Sequence, residues 1–201
     1  MKIASIPLPA LVSALSFSSV THAQNFDGPS VGVQAGWVQN KVRNPETNLG
    51  VTPIDASKSS AMFGAYAGYD KVFGKAVLGG EADMNVGTSD AVSSETSGTS
   101  ATINPKRSFD LTIRAGYLLA PTTLVYARGG YTNDRIRTTL VSATGTTYTS
   151  ENRDGWLIGG GVERAIAPHA AVRVEYRYAD LSKGDGKYDR NEVLTGVTYR
   201  L

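Results

Sequence analysis

The sequence is poor in the side chains that most often carry chemistry. Its 201 residues include no cysteine and two histidines, His22 and His169. Without cysteine there is no thiol nucleophile, no disulfide scaffold and no thiolate metal ligand. Hydrolysis or acyl transfer of the triad kind needs a histidine beside a Ser, Asp or Glu. His22 falls in a segment read below as a signal peptide. His169 falls in the motif Ala167-Pro168-His169-Ala170, which reads as a turn. The GGG run at 159–161 lies inside a strand-like segment with no helix after it, so it is not a phosphate loop. The spaced acids of DLSKGDGKYDRNE, 180–192, lack the ligand order and the bidentate Glu of a calcium loop and read as solvated surface. No catalytic centre, cofactor site or metal site is expected, and the chain reads as a non-enzyme.

The chemistry that remains is that of paired charges. In AVRVEYRYADL, 171–181, Val172, Val174, Tyr176 and Tyr178 share one side of an extended strand, and Arg173, Glu175 and Arg177 share the other. The same alternation elsewhere puts Glu81, Asp83, Arg114, Arg128, Glu163 and Arg200 on the face opposite the apolar one. Four acids and five arginines facing a common interior form a set able to neutralise itself, whereas a lone buried charge is costly. Glycines such as Gly32, Gly116, Gly159 and Gly196 share that face and leave room for long guanidinium groups.

These charges need a scaffold that encloses them. Eight segments alternate with a period of two: 30–40, 61–70, 76–86, 108–119, 123–132, 155–165, 171–181 and 191–201. Each is near the length of a tilted membrane-crossing strand. The connections alternate too. Those at 71–75, 120–122 and 166–170 are short; those at 41–60, 87–107, 133–154 and 182–190 are long and polar, with 87–107 dominated by Ser and Thr. Short turns at one end and long loops at the other are the outer-membrane pattern. On the apolar face, Tyr69, Tyr117 and Tyr199 stand near the short turns. Trp37, Phe63, Phe109, Tyr131, Trp156 and Tyr178 stand near the long loops. Two aromatic girdles at the two headgroup levels are the expected meaning. The fold class read from this is all-β: an eight-stranded antiparallel up-and-down transmembrane barrel with a polar, charge-filled interior. Such a barrel is only wide enough for its own side chains.

Composition excludes other classes. Twenty basic and 18 acidic residues give a net charge of +2 with no basic cluster, so no nucleic-acid partner is expected. The start, MKIASIPLPALVSALSFSSVTHAQN, has Lys2, a mostly apolar stretch and the Thr21-His22-Ala23 cleavage pattern. Residues 1–23 are read as a removed signal peptide and 24–201 as the barrel domain.

The segments GAYAGYD, VLGGEAD, LTIRAGYLLAPTTLVYARGGY, GWLIGGGVERAIAPHAAVRVEYRYADL and VLTGVTYRL resemble the small outer-membrane β-barrel family of Gram-negative bacteria. This family comprises opacity-type and porin-like surface antigens similar in architecture to the OmpA membrane domain. The resemblance implies eight antiparallel strands, no catalytic centre and placement in the cell outer membrane. It also implies recognition of the C-terminal strand by the barrel-assembly machinery, although Leu201 stands where the family commonly has an aromatic residue. The expected function is a structural, surface-exposed protein that contributes to envelope integrity, contacts outer-membrane lipid and presents its loops to an external ligand. Two alternatives are a small ion-permeable pore constricted by Arg128, Arg177 and Glu163, and a soluble periplasmic β-barrel carrier.

Overall fold

A computed structural model describes residues 26–43, 46–47, 50–51, 55–88, 92–96, 99–142, 145–182 and 187–201. The expected signal peptide, with its cleavage pattern, lies outside the described residues. Every regular element described is a strand. Eight of them form the staves: β1 Gly28–Arg43, β2 Asp55–Phe73, β3 Ala76–Gly87, β4 Thr99–Ala120, β5 Thr123–Ser142, β6 Gly145–Ala167, β7 Ala170–Asp180 and β8 Lys187–Arg200. Each pairs antiparallel with its chain neighbours, and β1 pairs with β8, from Ser30 opposite Arg200 to Arg43 opposite Lys187. The pairing of β3 with β4 completes the ring, so the sheet is a closed barrel.

The expected faces hold throughout. Val33, Leu78, Leu111, Ile113, Ile158, Val174 and Val193 are exposed on the outer wall, while the alternating partners are buried. Closure removes every edge along the paired zone and satisfies the backbone within the sheet, which a hydrocarbon medium requires.

The short turns contain two residues each: Gly74-Lys75, Pro121-Thr122 and Pro168-His169. Gly74 has φ +64°, the left-handed region that a tight hairpin needs at its first turn residue. The other two turns open on Pro, whose fixed φ suits turns that would splay the flanking strands. Beside each, a register shift absorbs one extra residue, between Leu118 and Ala120 and again at Ala170/Ala171. Such a bulge restores the strand twist.

The long connections differ from the expectation. The segments 41–60, 87–107 and 133–154 are not loops for most of their length. β1 and β2 pair out to Arg43 and Asp55, and β5 and β6 pair from Thr132 opposite Gly155 to Ser142 opposite Gly145. β4 also begins at Thr99, where it pairs with the additional strand Val92–Thr96. A second small hairpin joins Glu46–Thr47 to Gly50–Val51. Thr, Val, Ile and Tyr recur in these segments, and β-branched and aromatic residues favour an extended chain, so polarity alone did not predict a loop.

Candidate functional site

The interior is the feature that the fold positions most closely. Fifteen charged side chains are buried among the described residues: eight acids and seven arginines. All nine expected interior charges are among them: Glu81, Asp83, Arg114, Arg128, Glu163, Arg173, Glu175, Arg177 and Arg200. They come from β3, β4, β5, β6, β7 and β8, so the network ties together staves that are not neighbours.

Glu81 is the hub. Its carboxylate accepts from Arg128 at 2.6 Å and from Arg173 at 2.8 Å, and Arg114 lies 3.4 Å away. Arg128 also donates to Asp83, to the Thr112 hydroxyl at 2.6 Å and to Glu175 at 3.3 Å. Arg177 donates to Glu175 and, at 3.0 Å, to Asp83. Gln34 of β1 fits between them, accepting from Arg173 at 2.7 Å and donating to Asp83 at 3.1 Å. The Tyr126 hydroxyl donates to Glu175 at 2.5 Å.

Towards the short turns, Glu163 accepts from Arg114 at 2.8 Å and Arg200 at 2.9 Å, and Arg200 also reaches Asp70 at 3.1 Å. The barrel ends there in a small apolar cluster of Phe26, Val77, Leu118, Leu124 and Tyr126. Phe26, just ahead of β1, is fully buried in it, and its carbonyl accepts from Arg200 at 3.0 Å. Towards the long hairpins, Arg190 donates to Asp134 and, at 3.3 Å, to Asp110, and lies 2.7 Å from Glu192.

Sequence reasoning missed Asp70, Asp110, Asp134, Arg153, Arg190 and Glu192 among the buried charges. Asp110 and Glu192 lie on the inner face of recognised segments, so alternation was the available signal. Asp134, Arg153 and Arg190 fall in segments read as loops, and Asp70 at the end of one read as a strand. Each of these charges would be costly alone; taken together, the carboxylates and guanidiniums solvate one another.

Small residues make the packing feasible. Tyr66 stands opposite Gly32, and a Cβ at Gly32 would collide with the Tyr66 ring. Arg173 stacks on that ring, 3.5 Å from its centroid. At Gly196 a Cβ would come 3.3 Å from the Arg173 side chain.

On the outer wall, Trp37, Phe63, Tyr69, Phe109, Tyr117, Tyr131, Trp156 and Tyr199 are about half exposed. Tyr178 is partly covered; its ring meets Trp156 at 5.7 Å and its hydroxyl donates to Asp189 at 2.9 Å. Phe73 and Tyr176 are further exposed rings that the expected set did not contain. His169 holds the end of β8: its carbonyl accepts from the Arg200 N–H at 2.8 Å, and its Nδ1 is 3.1 Å from the Arg200 carbonyl. No group of three or more His, Cys, Asp or Glu placed to hold a metal is found among the described residues.

An apolar outer wall around a closed, charge-filled interior defines a membrane-spanning barrel of the outer-membrane class. The lumen is not the apolar cavity that a soluble carrier requires. The chain belongs to the outer membrane protein beta-barrel domain family, whose profile matches residues 9–200, and the protein is placed in the outer membrane. It is similar to the 31 kDa outer-membrane immunogenic protein of Brucella melitensis, 26% identical over 88% of this chain and 84% of that protein. It is also similar to the 25 kDa outer-membrane immunogenic protein of Brucella canis, 27% identical over 97% and 85%. Among solved structures, the fold resembles Ail of Yersinia pestis (TM-score 0.52, 15% identical, 86% of this chain and 99% of that one). It also resembles Neisserial surface protein A (TM-score 0.52, 16% identical, 87% and 100%).

Proposed function

We propose that the protein is a closed, non-conducting outer-membrane scaffold that reinforces the envelope and carries strand hairpins above the outer leaflet. The observation that carries this reading is the filled interior. Arg128, Arg177 and Glu163, the residues that would constrict a pore, are buried and held by several partners each. With the Phe26 cluster below them, they leave the axis to side chains rather than to water. The aromatic rings of the outer wall would lie at the two headgroup levels, with lipid between them. The C-terminal strand β8 would be the segment read by the assembly machinery. The Brucella relatives are named for their immunogenicity, which fits a protein whose hairpins face outward.

Reconstitution of the purified, folded barrel into planar bilayers tests the closed state. A flat current trace at ±100 mV is expected; discrete, voltage-stable channel events would favour the pore instead. Loss of the protein from its host is expected to sensitise cells to detergent. Labelling of Thr146→Cys on intact cells is expected to place the β5–β6 hairpin outside.

A further inference from the structure

Arg107 of β4 and Arg135 of β5 are directly opposed across the antiparallel ladder, and both are exposed on the outer wall. Like charges in that position repel and destabilise a strand pair. Among the described residues neither guanidinium has an acidic partner. The nearby carboxylate of Asp154 is already engaged, accepting from the Tyr131 hydroxyl and from Asn133 at 2.6 Å. At the short-turn rim, by contrast, the exposed Lys71 is matched by Asp27 at 3.0 Å.

Position gives the pair a meaning. Two residues nearer the barrel centre on the same strand faces are Phe109 and Asn133, and Tyr131 follows two further on. Phe109 and Tyr131 are exposed rings of the long-hairpin girdle. The arginines therefore stand one step outside the level at which aromatic rings meet headgroups. A register shift between Pro105 and Arg107 leaves Lys106 as an extra residue in the ladder at the same height. Bulges re-aim side chains at the places where strands leave their paired environment.

We infer that Arg107 and Arg135 form a binding site for a phosphate-bearing lipid headgroup of the outer leaflet, with Phe109 and Tyr131 bordering the start of its acyl chains. The guanidinium fork matches phosphate oxygens, and an anion between the two cations turns their repulsion into a shared attraction. The site rests on the outward orientation of the hairpins given above and goes beyond it by naming a ligand class.

The test is titration of the folded, detergent-solubilised barrel with bisphosphorylated lipid A, read by tryptophan fluorescence. An Arg107→Gln/Arg135→Gln variant is expected to lose affinity by about 10- to 30-fold, since each basic residue at an anionic lipid surface contributes on the order of tenfold or less. Removing the phosphates from the lipid should produce the same loss. Arg164→Gln, an exposed arginine at the opposite rim, should leave the affinity unchanged. Equal binding by the double variant, or by dephosphorylated lipid, would overturn the site. So would full displacement of the lipid by millimolar inorganic phosphate, because the pair would then be a site for free anions. Relief of repulsion predicts that the double variant still shows the folded-barrel gel mobility, and single Arg135→Gln provides a second reading. Failure of the orientation is recognised separately, by periplasmic rather than external labelling of Thr146→Cys.

Discussion

At the scale of single residues, Glu81 illustrates how the interior differs from a set of surface ion pairs. Three arginines converge on one carboxylate that is 2% exposed. Its removal would not simply delete attractions; it would leave three buried guanidinium groups sharing one carboxylate fewer, a net uncompensated charge inside the barrel. Glu81→Ala is therefore expected to destabilise the folded barrel by about 3–5 kcal/mol, measured as a lower urea midpoint in phospholipid vesicles. Glu175→Ala, which takes one carboxylate from both Arg177 and Arg128, should fall in the same range. Asp27 provides a contrast outside the membrane. The Val72 N–H, which donates to it at 2.8 Å, and then Lys71 hold its carboxyl below the usual carboxylate range. A depressed folded pKa means that the contribution is complete above the unfolded carboxylate value and is lost as pH falls through the folded one. The gap in urea midpoint between the native protein and Asp27→Asn should thus be constant at neutral pH and shrink below about pH 4. A gap that widened on acidification would contradict this assignment.

At the scale of the strand, alternation decides which medium each side chain meets. Ile113 is 77% exposed in the middle of β4, and its neighbour Thr112 is buried with its hydroxyl on Arg128. Ile113→Arg should cost roughly 2–4 kcal/mol in a bilayer, because the charge enters hydrocarbon. Thr112→Leu should cost about 1–3 kcal/mol by leaving a buried donor without its acceptor. A harmless Ile113→Arg beside a severe Thr112→Leu would invert the two faces. This part of the fold was legible in the sequence, because a period of two needs no knowledge of partners: all eight segments and the nine interior charges followed from it. Strand ends were not legible. Asp134 and Arg190 lay in stretches whose polarity suggested loops, yet they face each other across the barrel mouth as an ion pair. Polarity and extension are separate properties, and above the girdle a strand can be polar on both sides. Which acid meets which arginine was also beyond reach, since strands distant in sequence supply the partners.

At the scale of the whole molecule, the barrel and the hairpins are separable. The network that holds the staves together lies below the level of Asp134 and Arg190, whereas β5 and β6 pair on to Ser142 and Gly145. Replacing residues 138–149 by Asn-Gly, which suits a two-residue hairpin, should leave the heat-modifiable gel mobility and the urea midpoint unchanged. A large loss of either would show that the projection supports the barrel. The seam between β1 and β8 has a further consequence. It joins residues 144 to 170 positions apart, from Arg43 with Lys187 to Ser30 with Arg200, so it is the pairing with the greatest loop-closure cost. β8 also brings Arg190 and Arg200, the counter-ions of Asp134 and Glu163. Until that strand docks, Asp134 lacks Arg190 and Glu163 keeps only Arg114 of its two arginines. The last strand to pair thus closes the ring and the charge balance in one step.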